Sequence, residues 1–268
     1  LSLPGAGLRA EEGIEKVDVF PRIYPYGLVL TKQNTLLAFA EGHRILHHLS
    51  VRRSTDGGKT WGPIKVAASV EDVSTESIGN TCPVVARDTG AVWLAFTGHG
   101  RPRFDDRAFI THSTDDGKTW AKPVEITKDV KTPEWGYYYT GPGFGIQLKS
   151  GRLFIPCHHS GRNSTQENFK EWARLGGSHV FYSDDHGKSW KLGGSLDRHT
   201  DECQVVELTD GSLMLNMRNY WGRVGGRPER GSKRAIATSK DGGDTWSELS
   251  FDDTLIEPIC QASFLRYS

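Results

Sequence analysis

An all-β fold, a propeller of four-stranded antiparallel blades, is predicted by two interleaved repeats in the 268-residue sequence. The first is a box that occurs as STDGGKTW (54–61), STDDGKTW (113–120), SDDHGKSW (183–190) and SKDGGDTW (239–246), with the common form SxDxGx(S/T)W. Repetition of one motif at a blade-sized period is the sequence mark of a propeller or solenoid. The second repeat is an alternating hairpin with a polar turn: GLVLTKQNTLLAFAE, CPVVARDTGAVWLAF, GFGIQLKSGRLFIP and CQVVELTDGSLMLNM. Each unit is therefore one hairpin followed by a second that carries the box. Four such units make four blades, and CQASFLRYS at the C-terminus reads as the first strand of a fifth.

Taken in order, LSLPGAGLRA ahead of EEGIEKVDVF reads as the tail of a signal peptide. Residues 1–17 are thus expected to precede the fold, with a secreted or periplasmic location, and residues 18–268 to form the propeller. In an up-and-down blade the strand 1–2 and strand 3–4 turns share one face. The entrance to strand 1 and the strand 2–3 loop share the other. The boxes lie in strand 3–4 turns, on what we call the back face. Each box Asp is expected to accept hydrogen bonds from its own turn, with Gly at positive φ and Trp packed between sheets. These repeated carboxylates are structural, and chemistry is expected on the front.

Composition narrows the function. Lys and Arg number 33 and Asp and Glu 33, so there is no net charge to attract nucleic acid, and no basic tract suggests it. No run of 18 apolar residues suggests a membrane span. Cys82, Cys157, Cys203 and Cys260 are widely spaced without CxxC, which reads as buried free thiols rather than a zinc site or disulfide framework. No metal or cofactor is implied. His158 and His159 are adjacent, so on a strand they point to opposite faces and make a poor chelating pair.

Pairing the first hairpin of each blade collects a polar set on the front face. Blade 1 contributes Arg22, Glu41 and His43, blade 2 Asn80 and His99, blade 3 Tyr137 to Tyr139 with His158 and His159, and blade 4 Glu202 and Arg218. With a turn at Asp210–Gly211, Glu202 comes level with Asn219, so Glu202 and Arg218 are near neighbours at the open end of their hairpin. Such a pair is either an ordinary rim ion pair or part of an anion site. Two arginines at the ends of strands near the axis favour the second, because Arg stays charged and binds a carboxylate bidentately. The ligand expected is a sugar acid or a peptide terminus.

The chain resembles the exo-sialidases, six-bladed propellers with Asp boxes. FPRIYP (20–25), LLAFAEG (36–42), TGPGFGIQL (140–148), the hairpin DECQVVEL…LNMRN and EPICQASFL (257–265) carry the resemblance, which covers residues 18 to 268. It implies an exo-α-sialidase that releases terminal sialic acid with retention. Its three arginines bind the substrate carboxylate, and an aspartate is the general acid. Its nucleophile is a tyrosine deprotonated by a glutamate, which departs from the two-carboxylate glycosidase rule. Carried across, Arg22 and Arg218 are the first two arginines and Glu202 takes the tyrosine proton. Glu41, Arg44, Gln261 and Tyr139 line the pocket.

Three departures matter. FPRIYP stands where the family has Phe-Arg-Ile-Pro, and two extra residues lie before LLAF. The loop GHRILHHLSVRRS has no carboxylate where the family keeps its acid; His47 or His48 stands there, and His47 is the candidate proton donor. The nucleophilic tyrosine and third arginine have no match within residues 1–268, and Tyr267 is not promoted to that role. Four blades and one strand against six lead to the expectation that the ring is C-terminally incomplete. Two rival readings share the front-face arginines: a sialidase-like glycan-binding propeller that has lost turnover, and a hydrolase of another acidic sugar.

Overall fold

The computed structural model describes residues 17–20, 25–41, 47–100, 106–162, 168–197, 199–224, 226 and 228–266. Arg22, His43, Arg44 and Tyr267, with the segment 1–16, lie outside them. The described residues form four antiparallel sheets. The first runs β1 (Pro25–Leu30), β2 (Leu36–Glu41), β3 (His48–Ser54), β4 (Lys65–Ser69), and the second β5 (Ser77–Val85), β6 (Val92–His99), β7 (Arg107–Ser113), β8 (Val124–Glu125). The third holds β9 (Trp135–Thr140), β10 (Ile146–Gln147), β11 (Leu153–Gly161), β12 (Gly177–Ser183) and β13 (Lys191–Asp197). The fourth is β14 (Thr200–Glu207), β15 (Leu213–Asn219), β16 (Lys233–Ser239) and β17 (Ser250–Ile256). These are the four predicted blades. In the third, the entrance strand is broken at Gly141–Pro142–Gly143, and both halves, β9 and β10, pair with β11.

Period-two alternation sends successive side chains to opposite neighbours. Leu37 and Phe39 of β2 join Leu94 and Phe96 of β6 in the core between sheets one and two. Ile155 and Cys157 of β11 pack towards sheet two with Val84 and Ala95, whereas Phe154 of the same strand packs towards sheet four with Val205 and Leu215. Each buried Leu, Ile or Phe contributes roughly 1.5–3 kcal/mol through surface removed from water. At the ends of the row, Leu28 and Leu30 of the first sheet and Ile256 of the fourth are exposed.

The boxes fold as predicted. Gly58, Gly117, Gly187 and Gly243 donate their amides to Ser54, Ser113, Ser183 and Ser239 Oγ at 2.8–2.9 Å. Asp56, Asp115, Asp185 and Asp241 accept from the amides of Thr60, Thr119, Ser189 and Thr245 at 2.9–3.0 Å. The Ser189 hydroxyl and amide hold the Asp185 carboxyl down at about 2. The residue after each box Asp is left-handed: Gly57, Asp116 (φ 66°), His186 (φ 60°) and Gly242. Each box Trp after the first reaches back one sheet, Trp120 to Phe39, Trp190 to Trp93 and Trp246 to Phe154. Asp116 accepts from Thr31 and Thr35 at the β1–β2 turn, so boxes and strand 1–2 turns do share the back face.

Three expectations are corrected. Residues 260–266 form no strand; a strand exists only through its ladder, and no described residue pairs with them. Cys82, Cys157 and Cys203 are buried free thiols, but Cys260 is exposed. The β14–β15 register also differs: Asn219 lies opposite Thr200, not Glu202. The Leu208 amide bonds Ser212 O around a turn in which Gly211 takes φ 84°, so the loop is one residue longer than a two-residue hairpin. The ladder then shifts between Thr200 and Cys203.

Candidate functional site

That shift is a β-bulge. Asp201 and Glu202 fall between the pairs Thr200–Asn219 and Cys203–Met217, so two residues face the single Arg218. Bulges or breaks recur near the front of every entrance strand: Pro25 to Gly27 in β1, Gly79 to Cys82 in β5, and Gly141 to Gly143 between β9 and β10. A bulge re-aims side chains that strict alternation would send into the sheet interfaces. The fold thereby turns polar groups from four blades towards one face.

In the fourth blade, Arg218 Nη1 donates to Glu202 Oε2 at 2.6 Å, and the guanidinium carbon sits 4.9 Å from the centre of the Tyr220 ring. Both side chains are about four-fifths covered, at 21% and 19% exposed. Burial disfavours the Arg218 cation, but the charges of Asp201 and Glu202 outweigh it and raise the Arg218 pKa. Arg218 Nε is buried without a hydrogen-bond partner. A buried guanidinium donor left unpaired is costly unless something binds there, and its fork geometry suits a carboxylate.

Asp201, only 3% exposed, accepts from the Glu202 amide at 2.9 Å and lies 3.2 Å from His158 Nε2. Burial raises the Tyr220 phenol far above its ordinary value, and the Asp201 charge and hydrogen bond add to the effect. His158 stacks on Tyr139 at 5.0 Å, directly opposite it in the β9–β11 ladder. Tyr139 in turn meets His99 at 5.5 Å, and His99 Nδ1 is 2.8 Å from Asp106 Oδ1. At the first blade, Glu41 Oε1 accepts from the Thr81 amide at 3.1 Å. A Cβ on residue 79 would stand 2.8 Å from Glu41 Oε2, so Gly79 makes room for this carboxyl. Burial pushes the Glu41 carboxyl up to about 7, against the opposing effects of the Thr81 and Asn80 amides and His99.

The expected residues divide accordingly. Glu41, Tyr139, Glu202 and Arg218 belong to a front-face chain of contacts running from blade 1 to blade 4. Gln261 is exposed in the 260–266 segment. His47 is exposed just ahead of β3, with Nδ1 3.1 Å from Glu76 O, and among the described residues none of its hydrogen bonds reaches that chain. Sequence reading missed Asp201; its one available signal was its place beside Glu202 in TDEC. Among the described residues no group of three His, Cys, Asp or Glu side chains could hold a metal ion, and no helix is long and apolar enough to cross a membrane.

His158 and His159 do point apart. His159 stacks on Trp135 at 3.7 Å, and its Nδ1 is 3.0 Å from Nδ1 of the fully buried His179. Burial depresses His159 from 6.5 to about 3 and drives His179 well down. The unfolded chain therefore takes up protons below about 6.5 that the folded one refuses, so stability is full above that pH and is lost as pH falls towards 3. Melting temperature is expected to drop already between pH ~6.5 and ~4.5, before most carboxylates titrate, and to drop less in His159→Phe.

Comparisons with known proteins identify the family to which this fold belongs. The family model of the BNR repeat-like domain matches residues 34–259, and the chain belongs to that family. It is 34% identical over 267 residues to a sialidase of Bacteroides fragilis and 30% identical over 269 residues to one of Micromonospora viridifaciens. Those matches take in 89% and 92% of this chain, but the chain spans only 46% and 39% of the two relatives. Among solved structures, the Hadza microbial sialidase Hz136 matches with a TM-score of 0.74 at 29% identity, over 88% of this chain and 48% of that one. A Trypanosoma rangeli sialidase in complex with sialic acid shares the fold, with a TM-score of 0.63 at 19% identity, over 84% of this chain and 37% of that one. The resemblance to sialidases read from the Asp boxes and the 200–219 hairpin is borne out.

Proposed function

We propose that the protein is an exo-α-sialidase acting on terminal sialic acid of glycoconjugates, and that the front face of these four blades is the part that grips the sugar. The observation that carries this reading is the pair at the β14 bulge: Glu202 held 2.6 Å from an Arg218 whose Nε is buried and unpartnered. The part of the Arg218 side chain that Glu202 and its neighbours leave open, 21% of it, is offered to a substrate carboxylate, and Arg22 is the second cation that the sialidase resemblance implies. Glu202 takes the proton of a tyrosine nucleophile contributed from outside residues 1–268, the glycosyl–tyrosine bond forms as the glycosidic bond breaks, and water then releases the sugar with retention.

The departing glycosidic oxygen needs a proton. Glu41, with its carboxyl pushed up to about 7, carries one for a large part of the time at neutral pH, whereas His47 faces the Glu76 carbonyl at the rim. Glu41 is therefore the better placed donor. In Glu41→Gln, turnover of sialyl-lactose is expected to fall by about 10²-fold or more while an aryl sialoside, whose leaving group needs little protonation, is cleaved within a few-fold of the native rate. Equal losses on both substrates would remove Glu41 from this role, and the same selective loss in His47→Gln would transfer it there. Binding of sialic acid with no cleavage of either substrate would make the protein a glycan-binding propeller.

A further inference from the structure

The sialidase reading uses Glu202 and Arg218 but leaves unexplained a buried carboxylate at their side. Asp201 is 3% exposed, shares the bulge with Glu202, and acts on the same guanidinium. An uncompensated Asp201 charge would compete with an incoming carboxylate for Arg218. Its partner comes from another blade. His158, 6% exposed, places Nε2 3.2 Å from Asp201 Oδ1 and Nδ1 3.2 Å from Gly141 O. A carbonyl oxygen only accepts, so Nδ1 donates to it; an ionised Asp201 also only accepts, so an imidazolium satisfies both contacts at once. The Tyr139 ring, stacked at 5.0 Å, and the break at Gly141 fix the ring of His158 between blades three and four.

We propose that His158 is a positioning residue for the sialic acid site, neutralising Asp201 across the blade interface so that Arg218 stays free for the substrate carboxylate. The inference rests on the sialidase reading, and it predicts a specific pattern of rescue. His158→Phe keeps the aromatic stack on Tyr139 but removes both N–H donors, leaving Asp201 with the Glu202 amide and the Tyr220 hydroxyl but without its cationic partner from blade three. Asp201→Asn in the same chain removes the Asp201 charge.

The test is calorimetric titration of sialic acid into the protein and three variants, each first checked for a cooperative thermal transition. The dissociation constant is expected to rise about tenfold or more in His158→Phe, the scale of one lost charge-assisted contact. In His158→Phe/Asp201→Asn most of that loss is expected to be regained, a coupling that neighbours in one network show and a purely packing role does not. Weakened binding without rescue would overturn the assignment, as would unchanged binding in His158→Phe. Arg218→Ala separates the two levels: if it abolishes binding while the His158 variants do nothing, only the positioning role fails; if it leaves binding intact, the sialic acid site itself is misplaced. Should His158→Phe not fold, His158→Gln, which also removes the positive charge, is expected to give the same loss and the same rescue by Asp201→Asn.

Discussion

Replacing Glu202 by Gln is expected to lower kcat by about 10²–10⁴-fold, on aryl sialosides and natural sialyl-glycans alike, with KM moved only a few-fold. Glu202 would point into a sheet interface if β14 alternated regularly; the extra residue turns it to Arg218, where it is held at 2.6 Å and four-fifths covered. Gln is isosteric and keeps a hydrogen-bonding group in place, but it cannot take a proton from a phenol. Leaving-group quality does not enter, because this proton moves at the nucleophile. The contrast with Glu41→Gln, whose loss depends on the leaving group, tells the two carboxyls apart. A Glu202→Gln variant that turns over normally would remove Glu202 from the chemistry.

The largest expected effect on stability comes from Glu257, whose carboxylate is fully buried. Its Oε2 accepts from Arg234 Nη1 at 2.8 Å and from the Asn219 amide at 3.1 Å, while Oε1 accepts from the Ile259 amide at 2.6 Å. Arg234 is itself 4% exposed in its side chain and also donates to Asn216 Oδ1 and Cys260 O. Burial lowers the Arg234 pKa, with Glu257 opposing the effect. Glu257→Ala deprives that guanidinium of its carboxylate and strands the amides of Asn219, Ile259 and Cys260, which costs about 3–5 kcal/mol. The denaturation midpoint should fall accordingly, with the denaturant slope preserved. Because Asn219 closes the strand that presents Arg218, sialic acid affinity should weaken in parallel. A loss below about 1 kcal/mol would mean that Arg234 finds another acceptor.

How much of this was legible in the sequence follows from how local each feature is. The Asp boxes could be read in full because every hydrogen bond of the motif closes within it, from Ser54 Oγ to Gly58 and from Asp56 to Thr60. Blade count and the front-face set followed from alternation, and the facing of Tyr139 and His158 came out as paired. The bulge at Asp201–Glu202 left no such mark. Its cause lies in contacts across blades, and pairing arithmetic from the turn placed Asn219 against Glu202 instead of Thr200. The same arithmetic treated Asp210–Gly211 as a two-residue turn, although Gly211 closes a longer one. Asp201 and His158 come from β14 and β11, so nothing in either segment announces their contact. The raised carboxyl of Glu41 likewise depends on Thr81, Asn80 and His99 of the next blade. CQASFLRYS reads as the first strand of a fifth blade because it stands where the next repeat unit would begin, which says nothing about whether a ladder partner lies beside it.

The claim on which everything else depends is that Arg218, at the front of blade four, holds the carboxylate of sialic acid. Calorimetric titration of sialic acid into the native protein and Arg218→Ala tests it most directly. The native protein is expected to bind measurably, and Arg218→Ala to lose about tenfold to several hundredfold in affinity, the scale of a removed charge-assisted bidentate contact. Binding of equal strength in both proteins, with the Arg218→Ala fold intact, would contradict it.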